Sequence, residues 1–226
     1  MKNIYIVLLV VLFYNNVYCQ DIIDQKRKSF VTFSIFTPVL NQAHRWKAGY
    51  MYNFENRFWV GTSIGYGLKR ISIVSAEFRR SSEQDYQLYE IRPELYFDLN
   101  RDNRAKQFLS FEVFYINHRD RFVDSFYQDV NTKQEFTFDS ANYKRIKTGF
   151  NINYNIIIPI YNRICLIQKV GLGYKHRNVT FSNVQNLEQS IFPLMEDHFN
   201  NDYLFRVNGA ASSLHFNLDL QLVYKF

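Results

Sequence analysis

Leu214-His215-Phe216-Asn217-Leu218-Asp219-Leu220-Gln221-Leu222-Val223-Tyr224-Lys225-Phe226 is the stretch that decides the fold. Every even position is apolar or aromatic. Between them stand His215, Asn217, Asp219, Gln221, Val223 and Lys225. A period of two belongs to a β-strand, whose successive side chains point to opposite faces. One face of this strand is greasy and the other polar, so the two faces meet different surroundings.

The pattern recurs upstream. Ile146, Thr148, Phe150, Ile152, Tyr154, Ile156 and Ile158 alternate with Arg145, Lys147, Gly149, Asn151, Asn153 and Asn155. Trp46, Ala48, Tyr50 and Tyr52 alternate with Arg45, Lys47, Gly49 and Asn53. Tyr89, Ile91, Pro93, Leu95, Phe97 and Leu99 stand against Glu90, Arg92, Glu94, Tyr96 and Asp98. Shorter versions run over Leu109 to Asn117 and Lys169 to Lys175, and less regular strands over 29–37 and 57–70. Pro93 removes a ladder donor and predicts a bulge or local irregularity.

Short connections (Glu55 to Arg57, Asn100 to Lys106, Pro159 to Asn162) alternate with long ones (Ser75 to Gln87, His118 to Tyr143, Arg177 to Ser213), and Pro38 to His44 is intermediate. Short and long in alternation is the rhythm of periplasmic turns and external loops. The expected fold is therefore all-β: a closed antiparallel transmembrane β-barrel of about eight strands in meander order, with both termini periplasmic. Glu90, Arg92, Glu94, Glu112, Arg145, Lys147, Lys169, Asp219 and Lys225 all fall on polar faces. Both signs are present, so a closed lumen can pair them, whereas an unpaired buried charge costs several kcal/mol. A soluble barrel would put its apolar residues inside. Tyr52, Phe54, Phe58, Phe97, Tyr161, Tyr224 and Phe226 lie near the short turns, where an aromatic girdle is expected.

Bulk composition agrees. The chain has 226 residues and 18% aromatic content, yet its mean hydropathy is −0.29. A helical membrane protein would need apolar runs of about 20 residues. Alternation hides apolar content from the average, although a soluble sandwich can do the same. The formal charge of +6 favours anionic surroundings, but no basic run of five residues points to nucleic acid. Residues 1–19 read as a signal peptide: Lys2, then the apolar run Ile4 to Phe13, too short to span a bilayer, then Val17-Tyr18-Cys19. A lipidated Cys19 is disfavoured by the bulky Tyr18. The mature domain is then 20–226, with Cys165 alone and no intrachain disulfide. No second domain, such as a peptidoglycan-binding module, is expected.

This architecture resembles the small eight-stranded outer-membrane proteins of the OmpA transmembrane domain and OmpX type, over nearly all of the mature chain. Glu90-Ile91-Arg92-Pro93-Glu94-Leu95-Tyr96-Phe97 also resembles a recurring strand of uncharacterised outer-membrane barrel families. The terminal Tyr224 and Phe226 resemble the carboxy-terminal signal that the barrel assembly machinery recognises. These resemblances imply residence in the outer membrane and bring no catalytic residues or cofactors with them.

Some small barrels modify lipid A. Ser212, Ser213 and His215 share one strand, and a serine, a histidine and an acid could attack an acyl ester. The order Ser-Leu-His-Phe-Asn does not match the His-x-Ser pairing of the lipid A deacylases, and His215 reads better as a lumen hydrogen-bonding residue. His44, His118, His176 and His198 fall near predicted external loops without metal-ligand spacing. Glu196 and Asp197 read as a solvated acidic pair. Asp139-Ser140-Ala141 resembles a short O-glycosylation motif. Arg119, Arg121, Lys144, Lys175 and Arg177 flank long connections, where they can meet lipopolysaccharide phosphates or simply water. Phe122 to Val130 and Lys133 to Phe138 can extend a hairpin above the membrane and offer an edge to a protein partner. The expected function is a non-enzymatic outer-membrane barrel that supports envelope integrity or presents surface loops. A lipid-modifying enzyme and a narrow passive channel are the alternatives.

Overall fold

The computed structural model describes residues 29–39, 43–69, 84–100, 106–190 and 206–226. The export segment and the trio Glu196, Asp197 and His198 lie outside the described residues. Among the described residues nine strands follow in chain order: β1 (Ser29–Ser34), β2 (Trp46–Glu55), β3 (Phe58–Leu68), β4 (Gln87–Asp98), β5 (Lys106–Asp129), β6 (Glu135–Tyr161), β7 (Ile164–Gln185), β8 (Glu188–Gln189) and β9 (Val207–Lys225). A 3-10 turn, Thr37–Val39, follows β1. No helix among the described residues is long and apolar enough to cross a membrane, which says nothing of strands.

All but β8 close into a ring. Each strand pairs antiparallel with the next, β7 pairs with β9, and β9 returns to β1 through Phe30↔Lys225 to Ser34↔Gln221. Eight strands is an even number, so Ser29 and Phe226 meet at one end, where the Phe226 N–H reaches the Ser29 carbonyl at 3.4 Å. The tight turns β2–β3 and β6–β7 lie at that end. Each carries an asparagine with positive φ, Asn56 (37°) and Asn162 (26°), and asparagine tolerates the left-handed region better than most side chains.

Three expectations need correction. His118 to Tyr143 carries the hairpin expected over Phe122 to Val130 and Lys133 to Phe138, but this segment and Arg177 to Ser213 hold more strand than long connections would. Most of the first, and both flanks of the second, are strand, because the β5–β6 and β6–β7 ladders continue past the ring to Gln128↔Glu135 and Ser140↔Gln185. The sheet is not purely antiparallel, since β5 and β9 touch in parallel at Gln128↔Val207 and Asp129↔Asn208. The irregularity expected at Pro93 is present, as a gap in the pairing and not as a bulge. The β4–β5 ladder skips Arg92 and Pro93 and resumes at Glu94↔Glu112 in unchanged register. β1 and β3 are also shorter than read, ending at Ser34 and spanning 58–68.

The ring is inverted relative to a soluble protein. Outward positions hold exposed Val31, Tyr50, Val60, Ile64, Leu95, Phe111, Ile152, Leu172 and Leu218, while Glu90, Glu94, Glu112, Lys169 and Asp219 are buried inside. The interior is narrow, and glycines make room in it. A Cβ on inward-facing Gly65 would stand 2.9 Å from the Glu90 carboxylate.

β5, β6 and β7 continue beyond the ring, and there the phase of polarity reverses. On β5 the outward residues change from Leu109, Phe111, Val113 and Tyr115 to Asn117, Arg119 and Arg121. Inward, Phe122, Tyr127, Phe138, Ala141, Tyr143, Val179 and Phe181 form one buried cluster. At the tip the Asp129 carboxylate accepts the backbone N–H of Thr132 (3.0 Å) and of Asn131 (2.9 Å), closing the β5–β6 turn. Those N–H bonds favour the ionised form and hold its pKa below the usual carboxylate value.

Candidate functional site

The interior is built in layers. Nearest the tight turns is an apolar plug of Phe30, Met51, Trp59, Tyr96, Phe108, Ile157, Cys165, Ile167 and Val223. Phe30 stacks on Trp59 with ring centroids 5.0 Å apart. Polar-face reasoning missed this layer, because every strand of the ring contributes to it and none contributes more than two residues.

Above the plug is a layer of ion pairs. Arg45 and Arg92 both hold Glu90. Arg92 Nη1 also reaches Glu112 Oε1 at 2.6 Å. Lys169 bridges Glu94 and Glu112, the latter at 3.1 Å. Lys47 Nζ meets Asp219 Oδ2 at 2.5 Å. Four cations thus face four carboxylates. Neutral donors take up further lone pairs: Tyr96 Oη and Ser110 Oγ donate to Glu94 (2.7 and 2.5 Å), Asn151 to Glu112 (2.6 Å), and Ser34 and Gln221 to Asp219 (both 2.7 Å). Buried charges are tolerable on these terms, paired and hydrogen-bonded.

Of the residues read as a lumen network, the structure brings together Glu90, Arg92, Glu94, Glu112, Lys169 and Asp219. Lys225 is buried at the turn end, beside the plug, and joins none of these pairs. Arg145 and Lys147 stand further from the turns, with Arg177 and Lys175 on the facing strand through Lys147↔Arg177 and Gly149↔Lys175. Arg45 and Lys47 were not counted in the network, although their polar-face positions, Lys47 on β2 and Arg45 just before it, were the signal. Between the ion layer and the extension, His44 stacks on Tyr86 (4.1 Å) and Tyr86 meets His118 (4.8 Å). These two histidines are buried inside the ring and not in external loops.

Of the residues weighed as catalytic, Ser212 and His215 do not converge. Ser212 and His215 differ by an odd number of residues and face opposite sides of β9. His215 packs edge-on to Phe114 inside (5.6 Å). Ser212 Oγ instead lies 2.9 Å from His176 Nδ1 on the outside. No group of three His, Cys, Asp or Glu among the described residues could hold a metal. Ser140 is buried and its hydroxyl donates to Gln185 at 2.8 Å, so the Asp139-Ser140-Ala141 motif does not present it.

On the outside, Phe54, Phe58, Phe97, Tyr224 and Phe226 form the aromatic row near the turns, with Phe58–Phe97 at 5.3 Å and Tyr224–Phe226 at 5.2 Å. Tyr52 and Tyr161 are exposed at the same end. A second row, missed in the sequence, lies at the opposite edge and includes Tyr66 and Tyr89, 5.1 Å apart. The basic residues divide by phase. Arg119, Arg121 and Lys144 are outward and exposed, whereas Lys175 and Arg177 share the inward phase of Lys169 and cannot flank an external surface.

No family profile matches the chain. No curated protein resembles it in sequence. Among solved structures it is similar to a major outer membrane protein from Thermus thermophilus, at 14% identity and a TM-score of 0.43, over 88% of this chain and 99% of that one. At that identity and score the likeness carries no argument about function, which rests on the geometry alone.

Proposed function

We propose that this chain is an integral, non-enzymatic β-barrel of the bacterial outer membrane, which lends integrity to the envelope and displays the β5–β7 extension to a partner outside the cell. One observation carries the reading: a closed ring with ion pairs inside and a continuous belt of exposed apolar side chains outside. In water that belt would be a large adhesive surface. In lipid it is the favourable face, and closure leaves no unpaired strand edge in the hydrocarbon.

The dimensions fit. Phe58 and Tyr66 on β3, and Tyr89 and Phe97 on β4, are each eight residues apart across the two aromatic rows. At about 3.4 Å per residue that is about 27 Å along the strand, or about 20 Å of thickness at a tilt near 40°, close to the apolar band of an outer-membrane barrel. β6, with 27 residues, far exceeds the roughly 9–11 needed to cross, and the excess forms the extension. Residues 1–19 supply an export signal, and outward-facing Tyr224 and Phe226 supply the contact for the assembly machinery. The tight turns and both termini then lie in the periplasm. The plug and the ion layer fill the lumen, which supports a structural role over a conducting one. On the extension a groove of about 470 Å³, lined by Asp124, Phe126, Thr137, Asp139, Asn186 and Glu188, offers a contact surface to a partner.

The test is expression of the full chain in a Gram-negative host, followed by membrane fractionation and gel migration with and without boiling. The expected result is outer-membrane recovery and a folded band that shifts on heating. A water-soluble periplasmic product would overturn the reading.

A further inference from the structure

Arg119 on β5 and Lys144 on β6 are directly opposite in the register, and both face outward. Like charges opposite each other across a strand pair are destabilising, so this pair is costly unless an anion covers it. The flanking outward positions are neutral: Gln87 pairs with Arg119, and Thr180 pairs with Lys144. Arg121 is the next outward position on β5. Asp85, two residues before Gln87, stands level with Arg121 but makes no ion pair with it among the described residues. The pair stands just past the aromatic row: Tyr89 of that row pairs with Asn117, two residues before Arg119 on β5, about 7 Å along a tilted strand.

The geometry points to a phosphate-binding site on the outside of the wall, formed by Arg119 and Lys144 with Arg121 beside them, which holds a phosphomonoester on the headgroup of a membrane glycolipid. This rests on the membrane reading, which sets the site at headgroup height with its edge toward the loops. Charge selects the ligand. A phosphomonoester carries nearly two negative charges at neutral pH, matching two cations, whereas a phosphodiester carries one. Guanidinium and ammonium donors both favour phosphate oxygens, the former in bidentate fashion. The neutral side chains Gln87 and Thr180 offer further donors to the sugar hydroxyls.

The experiment uses the full-length mature protein in phosphatidylcholine nanodiscs, with bound lipid A counted by native mass spectrometry. The wild type is expected to retain lipid A, and to lose it when the lipid is enzymatically dephosphorylated. Arg119→Gln with Lys144→Gln should weaken retention about tenfold or more, Lys144→Arg should preserve it, and Arg57→Gln at the turn end should leave it unchanged. Equal retention by the double variant, by dephosphorylated lipid A, or of phosphatidylglycerol in place of lipid A would overturn the site. In each case the barrel would still be inserted. Failure of every form, wild type included, to enter the nanodisc would instead refute the membrane reading.

Discussion

Three strands, β5, β6 and β7, run through both the ring and the extension, and the two regions obey opposite rules. On β7, Leu172 and Tyr174 face out in the ring while Lys169 faces in. A few residues later Asn178 and Thr180 face out while Val179 and Phe181 face in. From Leu172 to Phe181 the register continues without a break, so the reversal is not a feature of the strand. On the proposed membrane reading it reports a change in what lies outside, from an apolar medium to water. The point of reversal, between Tyr115 and Asn117 on β5 and between Tyr174 and Asn178 on β7, marks that boundary on the molecule.

The comparison breaks most sharply at the ion layer, which exists only on the ring side of the boundary. Lys169→Met removes the cation shared by Glu94 and Glu112 and leaves both carboxylates short of charge inside the ring. The expected cost is about 3–5 kcal/mol, the usual penalty for stranding a buried charge, read as a lower urea midpoint for unfolding in detergent or vesicles. A neutral result would mean that water reaches the layer and that the interior is not sealed by the plug.

How much of this was legible in the sequence depends on which side of the boundary a residue lies. Within the ring the alternation of Leu214 to Phe226 and of Ile146 to Ile158 gave the strands and their two faces, because one face had to be uniformly apolar. The partners on the polar face could not be read. Lys47 meets Asp219, which comes from the far end of the chain, and only closure of the ring brings β2 and β9 within reach. Beyond the boundary the periodic signal is weaker. Phe122, Phe138 and Phe181 are spaced out by residues such as Asp124, Asp139 and Asn183, whose positive φ values at 124 and 183 kink the strands and shift the phase. On β5 and β6 the spacing still reads as a hairpin, over Phe122 to Val130 and Lys133 to Phe138, but from Arg177 onward it reads as a connection. The same blindness to phase assigned Lys175 and Arg177 to the rim, although two-residue steps from Lys169 carry them inward.

The exterior sharpens the boundary with one substitution made twice. Leu218→Arg places a charge near the middle of the belt on β9, where about 2–4 kcal/mol is expected to be lost from the stability of the barrel in lipid. Ser182→Arg introduces the same charge beyond the reversal, opposite the neutral Asn142, and should fall within about 0.5 kcal/mol of the wild type. Both are measured by urea unfolding in vesicles of one composition. Equal costs at the two positions would mean that the same medium touches both, and the boundary would be lost.

The smallest expected effect tests whether the extension is a folded body in its own right. Phe181 contacts Tyr127 (4.9 Å), Tyr143 (5.3 Å), Phe138 (5.7 Å) and Phe122 (6.0 Å), so it joins all three long strands. Phe181→Leu keeps an apolar side chain but deletes the ring contacts, each worth about 0.5–1.5 kcal/mol beyond burial. Because these contacts overlap, a net loss of about 1–2 kcal/mol is expected. It should be local: amide exchange should quicken at 120–143 and 177–185 and stay unchanged at 108–115 and 150–157. The ring is held by its own ladder, plug and ion pairs, none of which touches Phe181. Faster exchange spread evenly over both regions would show that ring and extension unfold as one unit, with the reversal of polarity marking no division in stability.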